Sequence, residues 1–273
     1  MASAVEGQHG LEAKLEQRLF DFYGTALTAL AEVRLPFLVG GAYAFTHYTG
    51  IVRHTKDLDL FIRPQDCHRA LQVLSETGYR TELTAPHWIA KAFYGEDFID
   101  IIFSSGNGIV TVDDTWFAHA VEAQMLGRTI KVCPAEETLW SKAYVMERER
   151  YDGADIAHLL RACGAQMDWP RLLQRFGGHW PVLLSHLILF SFIYPRDQAQ
   201  IPAWVWQELL PRVERELRSS STEERICRGT LLSKAQYLID IESWGYRDAR
   251  LSPQGVMTQE QTAQWTASVD RER

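Results

Sequence analysis

The chain has 273 residues, 46% of them hydrophobic and 23% charged, which excludes a low-complexity or collagen-like polymer and allows one large or two modest domains. Twenty-eight basic residues against 35 acidic ones leave a formal charge of −7; that excludes an extended nucleic-acid-coating surface, though not a local basic groove. Cys67, Cys133, Cys163 and Cys227 form no Cys-x-x-Cys pair, a pattern of free thiols in a reducing compartment and not of a zinc ribbon or disulfide framework.

Residues 1–10 lack the basic-then-apolar order of a signal peptide. Apolar residues at helical spacing, among them Leu11, Leu15, Leu19, Leu27 and Leu30, predict a helix over 11–34 that Pro36 stops. Phe37-Leu38-Val39 predicts a short buried strand, followed by a tight turn at Gly40-Gly41 and a short helix over 42–48. Asp57 to Ile62 predicts a second strand, closed by Pro64. Asp66 is placed to cap a helix through Thr77, with Gly78 as its stop. A strand follows over 80–83, and a hairpin joins 88–94 to 98–103 across Gly95-Glu96-Asp97. Asp113 and Asp114 open a short helix, and 128–133 is the last strand before Pro134.

From Ala135 onward strand signals stop. Helices are expected over 135–149, 153–163, 169–176, 180–194, 203–219 and 222–242. The most apolar stretch, 182–194, is shorter than the roughly 18 residues of a membrane span and predicts a buried core helix. The expected organisation is an α/β domain over 1–134, an α-helical domain over 135–250 and a flexible tail over 251–273. A soluble, cytoplasmic protein is expected.

The most informative segment is 37–62, FLVGGAYAFTHYTGIVRHTKDLDLFI. Alternate side chains of a strand share a face, so Asp57 and Asp59 project together while Leu58 and Leu60 turn to the core. Two such carboxylates, about 7 Å apart, repel one another unless a cation stands between them. A hard divalent ion with oxygen ligands, magnesium first, answers that repulsion. A solvated edge strand is the competing reading of a lone Asp-x-Asp, and Gly40-Gly41 weighs against it. A Gly-Gly turn lets backbone N–H groups approach a phosphate, and a helix opening there adds its dipole. Two-metal phosphoryl transfer asks for a third carboxylate. Asp100 interrupts the apolar strand 98–103, where it is costly to bury unpaired, and is the first candidate; Asp97, at the turn, is the second.

These residues resemble the signature of the polymerase-β-like nucleotidyltransferase superfamily: a Gly-Gly or Gly-Ser turn, Asp-x-Asp on a strand, and a third Asp on a neighbouring strand. The form of the segment, with Arg53-His54-Thr55-Lys56 leading into Asp57, looks most like the bacterial branch that includes AbiEii-type toxins and uncharacterised nucleotidyltransferases. The segment 140–155 resembles that branch's later motif, a lysine followed by an arginine-rich turn and Asp-x-x-Asp. The resemblance implies an α/β (α+β) nucleotidyltransferase core with a mixed sheet, then an α-helical domain. It implies transfer of a nucleoside monophosphate from an NTP to an acceptor hydroxyl, with Mg2+ or Mn2+ as cofactor. Asp57, Asp59 and Asp100 would be the catalytic and metal-binding set; Gly40, Gly41, Arg53, Thr55, Lys142 and Asp155 (or Asp152) would serve the nucleotide. The acceptor is open: a small molecule, an RNA end such as tRNA, or a protein side chain. The alternative is a catalytically inactive nucleotide-binding regulator or toxin–antitoxin component with an antitoxin partner. Two departures stand out: Gly41 replaces the superfamily's common serine, and the gap from Gly41 to Asp57 is long.

Overall fold

Strands β1 (Leu38–Val39), β2 (Asp57–Phe61), β3 (Arg80–Ala85), β4 (Ile89–Tyr94), β5 (Asp97–Ile102), β6 (Val121–Met125) and β7 (Arg128–Val132) form one sheet in the computed structural model of the chain. The structure describes residues 21–53, 55, 57–125, 127–218 and 225–267. The strand order is β3-β4-β5-β2-β1-β7-β6. The β2–β5 and β1–β7 pairs are parallel and the other neighbours antiparallel. The fold is thus mixed α/β.

The described residues divide into two units. One takes 21–43, Arg53–Phe103 and Val112–Cys133, and holds the sheet. The other takes Ala44–Val52, Ser104–Thr111 and the residues from Pro134 onward.

In the first unit, helix α1 (21–32) ends where Arg34 enters the left-handed region at φ 53°. Arg34 N–H bonds to Ala31 O at 2.9 Å and Leu35 N–H to Leu30 O at 3.0 Å, a Schellman closure with arginine where glycine is usual. The expected residues 11–20 of this helix lie outside the described ones. Helix α2 (Gly41–Thr49), whose residues from Ala44 on are counted with the second unit, opens on the second glycine itself, then Gly50 turns the chain at φ 71°. That helix and its turn account for the long gap before Asp57. Helix α3 (Cys67–Glu76) is not capped by Asp66 as expected: Asp66 has helical dihedrals and no capping bond, because Pro64 starts a 3-10 turn running straight into the helix. Asp113 does cap helix α4 (Asp114–Ala118), accepting from Thr115 N–H at 3.0 Å.

Strand β6 was not foreseen. It lies at the edge of the sheet with its residues exposed or half-buried, although Val121, Ala123 and Met125 alternate with the polar Glu122 and Gln124 as a half-buried strand requires. The core of this unit gathers Leu27, Leu30, Val39, Leu58, Leu60, Ile99, Ile101 and Ile130.

The second unit contains α5 (Ala135–Lys142), α6 (Gly153–Cys163), α7 (Trp169–Phe176), α8 (Trp180–Ile193), α9 (Ala203–Arg218), α10 (Leu238–Glu242) and α11 (Gln259–Ala267). Helix α5 packs on α6 and α7, and both of those pack on α8. Several expectations are corrected here. The helix expected over 135–149 stops at Lys142, and Met146 instead bridges to Tyr151. Glu147 draws the chain away, its carboxylate accepting from Ser233 Oγ at 2.5 Å and Lys234 N–H at 2.8 Å.

The helix expected over 222–242 is present only at Leu238–Glu242, with 222–224 outside the described residues. Strand β8 (Ile226–Cys227) pairs in parallel with β9 (Arg247–Asp248). Buried Asp248 holds the local turn by accepting from Thr230 Oγ1 at 2.8 Å and pairing with Arg250 at 2.6 Å. The expected flexible tail carries α11, with Met257 and Thr262 buried and the Trp265 ring lying where Gly106 leaves room for it. Residues 268–273 lie outside the described ones.

Helix α8 is buried on one side only. Leu183, Leu187 and Phe190 face inward, whereas Phe192 is 84% exposed and Ile188, Leu189 and Ile193 are also exposed. Counted with α7, Trp169–Ile193 is, among the described residues, the one stretch long and apolar enough to cross a membrane. It is interrupted at Gly177, φ 48°. Its Arg171 and Arg175 are ion-paired, at 2.7 Å with Glu136 and 3.0 Å with Glu137 respectively.

Candidate active site

Strands β2 and β5 run parallel with Asp59 opposite Asp100 and Asp57 opposite Phe98. Leu58, Leu60, Ile99 and Ile101 are buried on one side of this pair. Alternation therefore turns Asp57, Asp59 and Asp100 to the other side. One carboxylate oxygen from each lies within 4.8 Å of the others. Asp57 and Asp59 are half-buried and Asp100 is buried. Asp97 starts β5 opposite Tyr94 at the hairpin and is outside this set.

Two side chains hold carboxylates of the cluster directly, and two tyrosines feel its charge. Thr55 Oγ1 donates to Asp57 Oδ1 at 2.5 Å, which orients Asp57. Lys91, opposite Asp100 on β4, places its Nζ 2.7 Å from Asp100 Oδ1. Burial pushes the Asp100 carboxyl above the usual aspartate range, and Lys91 opposes that rise without cancelling it. The buried Tyr23 and half-buried Tyr43, whose rings meet edge-on at 6.4 Å, have their phenols pushed up. Burial is the main cause in both, and the negative charge of Asp57 adds to it. Lys91, Tyr23 and Tyr43 were missed in the sequence reading.

The glycines make room for this arrangement. A Cβ on Gly41 would stand 1.6 Å from Asp59 Oδ2, and Gly41 has φ 53°. The carboxylate of Asp59 thus lies over the space a serine would need, which explains that departure from the superfamily pattern. A Cβ on Gly40 would stand 2.2 Å from the Phe61 ring. Gly40 N–H is spent on Asp59 O at 2.9 Å, so it is not free for a phosphate as expected. The helix start at Gly41 retains the N–H groups that face no preceding turn. Gly41→Ser is expected to cost ~1–3 kcal/mol for the left-handed backbone alone and to displace Asp59. Denaturant unfolding together with Mn2+ binding checks both effects.

In the second unit Lys142, at the end of α5, sits 2.8 Å from Asp155 and 3.3 Å from Asp152. Burial alone would raise the Asp152 carboxyl; Lys142 and Arg150 more than offset it and hold it below the ordinary value. Lys142, Asp152 and Asp155 thus form an ion-pair cluster and not the solvated helix face that the charge run also allowed. Arg53 is exposed. Among the described residues the three aspartates are the one group of His, Cys, Asp or Glu side chains arranged to hold a metal. Three hard oxygen donors converging on one point fit Mg2+ or Mn2+ and fit poorly a soft, thiolate-seeking ion.

A family model described as "Uncharacterised nucleotidyltransferase" matches residues 8–177, more than half of the chain and the span that carries every residue above. The chain belongs to this nucleotidyltransferase family. The chain is therefore a transferase by family. No curated protein matches the sequence. Among solved structures, the solution structure of the antibiotic-resistance factor ANT(2'')-Ia is similar at 19% identity and TM-score 0.43, covering 62% of this chain and 97% of that one. Its crystal structure with adenylyl-2''-tobramycin gives 18% identity and TM-score 0.42, covering 60% and 99%. Lincomycin-bound LnuA, a lincosamide antibiotic adenylyltransferase, gives 20% identity and TM-score 0.36, covering 51% and 94%.

Proposed function

We propose that this nucleotidyltransferase moves a nucleoside monophosphate from an NTP to an acceptor hydroxyl, with Mg2+ or Mn2+ held by Asp57, Asp59 and Asp100. The observation that carries the reading is the carboxylate trio on one face of two adjacent parallel strands. A bound divalent ion would supply charge neutralisation at the phosphates and the attacking oxygen. The acceptor oxygen attacks the α-phosphorus, the bond to the β-phosphate oxygen breaks, and pyrophosphate leaves. Asp100, opposite Asp59 on the neighbouring strand, would take the acceptor's proton. Asp57, aimed by Thr55, and Asp59, seated over Gly41, hold the charge that keeps the phosphates in place. The start of α2 at Gly41 offers N–H groups and a helix dipole to the triphosphate.

The family resemblance gives Arg53, Lys142 and Asp155 roles toward the nucleotide. For Lys142 that role requires it to loosen one of its two carboxylate partners. The acceptor belongs to one of three classes: a small molecule, an RNA end or a protein side chain. The AbiEii-type resemblance would add an antitoxin partner, which has no support in the family match.

The reading is tested by incubating the protein with Mg2+ and each NTP, with and without cell extract, and following pyrophosphate release and label transfer. Turnover by wild type that Asp59→Asn loses is the expected result. Nucleotide binding without turnover under every condition overturns it in favour of an inactive nucleotide-binding protein. Thr55→Val is expected to lower turnover about tenfold, the effect of losing a hydrogen bond to a charged group worth roughly 1.5 kcal/mol. The same assay measures it, with melting temperature as the control for folding.

A further inference from the structure

We infer that Lys91 is a resident counter-charge for Asp100, one that keeps the acidic cluster's affinity for a free divalent cation low until nucleotide arrives. The inference rests on the reading of Asp57, Asp59 and Asp100 as cation ligands. The hairpin of β4 and β5 fixes the placement: Tyr94 pairs with Asp97, and counting back from the turn brings Lys91 opposite Asp100. The Lys91 ammonium lies 2.7 Å from Asp100 Oδ1 and 4.1 Å from the centre of the Phe98 ring. Its neighbours along the strand, Ile89, Ala90 and Ala92, are buried, so the lysine is a single cation let into an apolar strand at the edge of the cluster.

A positive charge on a ligand oxygen has two opposite effects. It repels a bare divalent ion and competes with it for Asp100. It also attracts the polyanion of an NTP, which brings its own cation. Three carboxylates and one ammonium leave the cluster two charges negative in place of three. Lys91 thereby biases the site toward the metal–nucleotide complex over the free metal. A lysine that merely packed Asp100 in place would have the opposite signature, because removing it would loosen a ligand and weaken cation binding.

The test is a titration of the full chain with Mn2+, followed by the electron paramagnetic resonance of the free ion. Lys91→Met is expected to bind free Mn2+ roughly fivefold to tenfold tighter than wild type, the scale of removing one nearby charge. Lys91→Arg, which keeps the charge, should stay within about twofold of wild type on the same argument. With a non-hydrolysable NTP analogue present, the advantage of Lys91→Met should shrink or reverse. Asp59→Asn should lose the binding. Lys91→Gln removes the charge while keeping a hydrogen-bond donor, and carries the same expectation if Lys91→Met does not fold. Unchanged or weaker Mn2+ binding in the charge-removing variants, or equal tightening in Lys91→Arg, overturns the counter-charge role while leaving the cation site standing. Wild type that binds no more Mn2+ than Asp59→Asn overturns the cation reading itself, and this inference with it.

Discussion

Asp59→Asn is expected to lower nucleotidyl transfer by about 10³-fold or more, the scale of removing several kcal/mol of charge stabilisation at a phosphoryl group. The protein should remain folded and melt slightly higher. Asp59 lies between its partners: it faces Asp100 across the strand pair and its carboxylate rests against Gly41. The amide keeps the shape of the carboxylate where there is no room for a larger group. It removes one of three like charges, so the strain of holding them together falls. Asp100→Asn should lose a comparable share of turnover without that gain in stability, because Lys91 would then face an amide where it had a carboxylate at 2.7 Å. Asp97→Asn should stay near wild type, since Asp97 ends the hairpin opposite Tyr94. Pyrophosphate release and thermal melting of the three variants check the set. Retained turnover in Asp59→Asn removes the trio from catalysis, and a damaged Asp97→Asn beside a silent Asp100→Asn makes Asp97 the third carboxylate.

The acidic strand was legible because period-two alternation is a local rule. Asp-Leu-Asp-Leu can place its carboxylates on a common face only as a strand, and the buried Leu58 and Leu60 confirm that arrangement. Asp100 was legible by the same kind of signal, a lone charge in an apolar run. Lys91 carried that signal too, in Ile-Ala-Lys-Ala-Phe. What was missed was the hairpin register, which pairs a cation with the anion only once the turn is set at Gly95-Glu96. Tyr23 gave no signal, since a tyrosine on an apolar helix face reads as core, and it is indeed 2% exposed.

The failures lie where long-range contacts overrode local preference. Glu147-Arg-Glu-Arg has the propensity of a helix, yet Glu147 finds Ser233 and Lys234 more than eighty residues away in the chain and the helix ends early. Asp248, Arg250 and Thr230 likewise hold the region in short elements where one helix over 222–242 was expected. In the first unit the turns obeyed local chemistry: Gly78 closes α3 at φ 99°, and Tyr79 N–H completes the closure on Leu74 O at 3.0 Å.

Lys142→Ala should destabilise the nucleotide-free protein by about 3 kcal/mol, the lower end of the cost of stripping one partner from a buried ion pair. Lys142, Asp152 and Asp155 have side chains only 16%, 11% and 8% exposed, so the carboxylates that lose the lysine cannot simply turn to water. The lower end applies because Arg150 still reaches Asp152 at 3.2 Å. For a chain of this size that loss lowers the melting temperature by roughly 6–12 °C. The pH dependence gives the sign a second check. In wild type the Asp152 carboxyl is held below its ordinary value, so it contributes stability above about pH 4 and loses it as pH falls through the lowered value. Without Lys142 only Arg150 opposes the effect of burial on Asp152, so less of that stability remains. The gap between wild type and Lys142→Ala should therefore be widest near neutrality and narrow as the solution is acidified. Denaturant unfolding across that pH range measures the gap. Adding Asp155→Asn to Lys142→Ala should recover part of it, since one of the two buried carboxylates that lost the lysine is then neutral. A Lys142→Ala protein that melts with wild type at neutral pH would show that the three side chains are not paired in solution, leaving Lys142 unencumbered for the triphosphate.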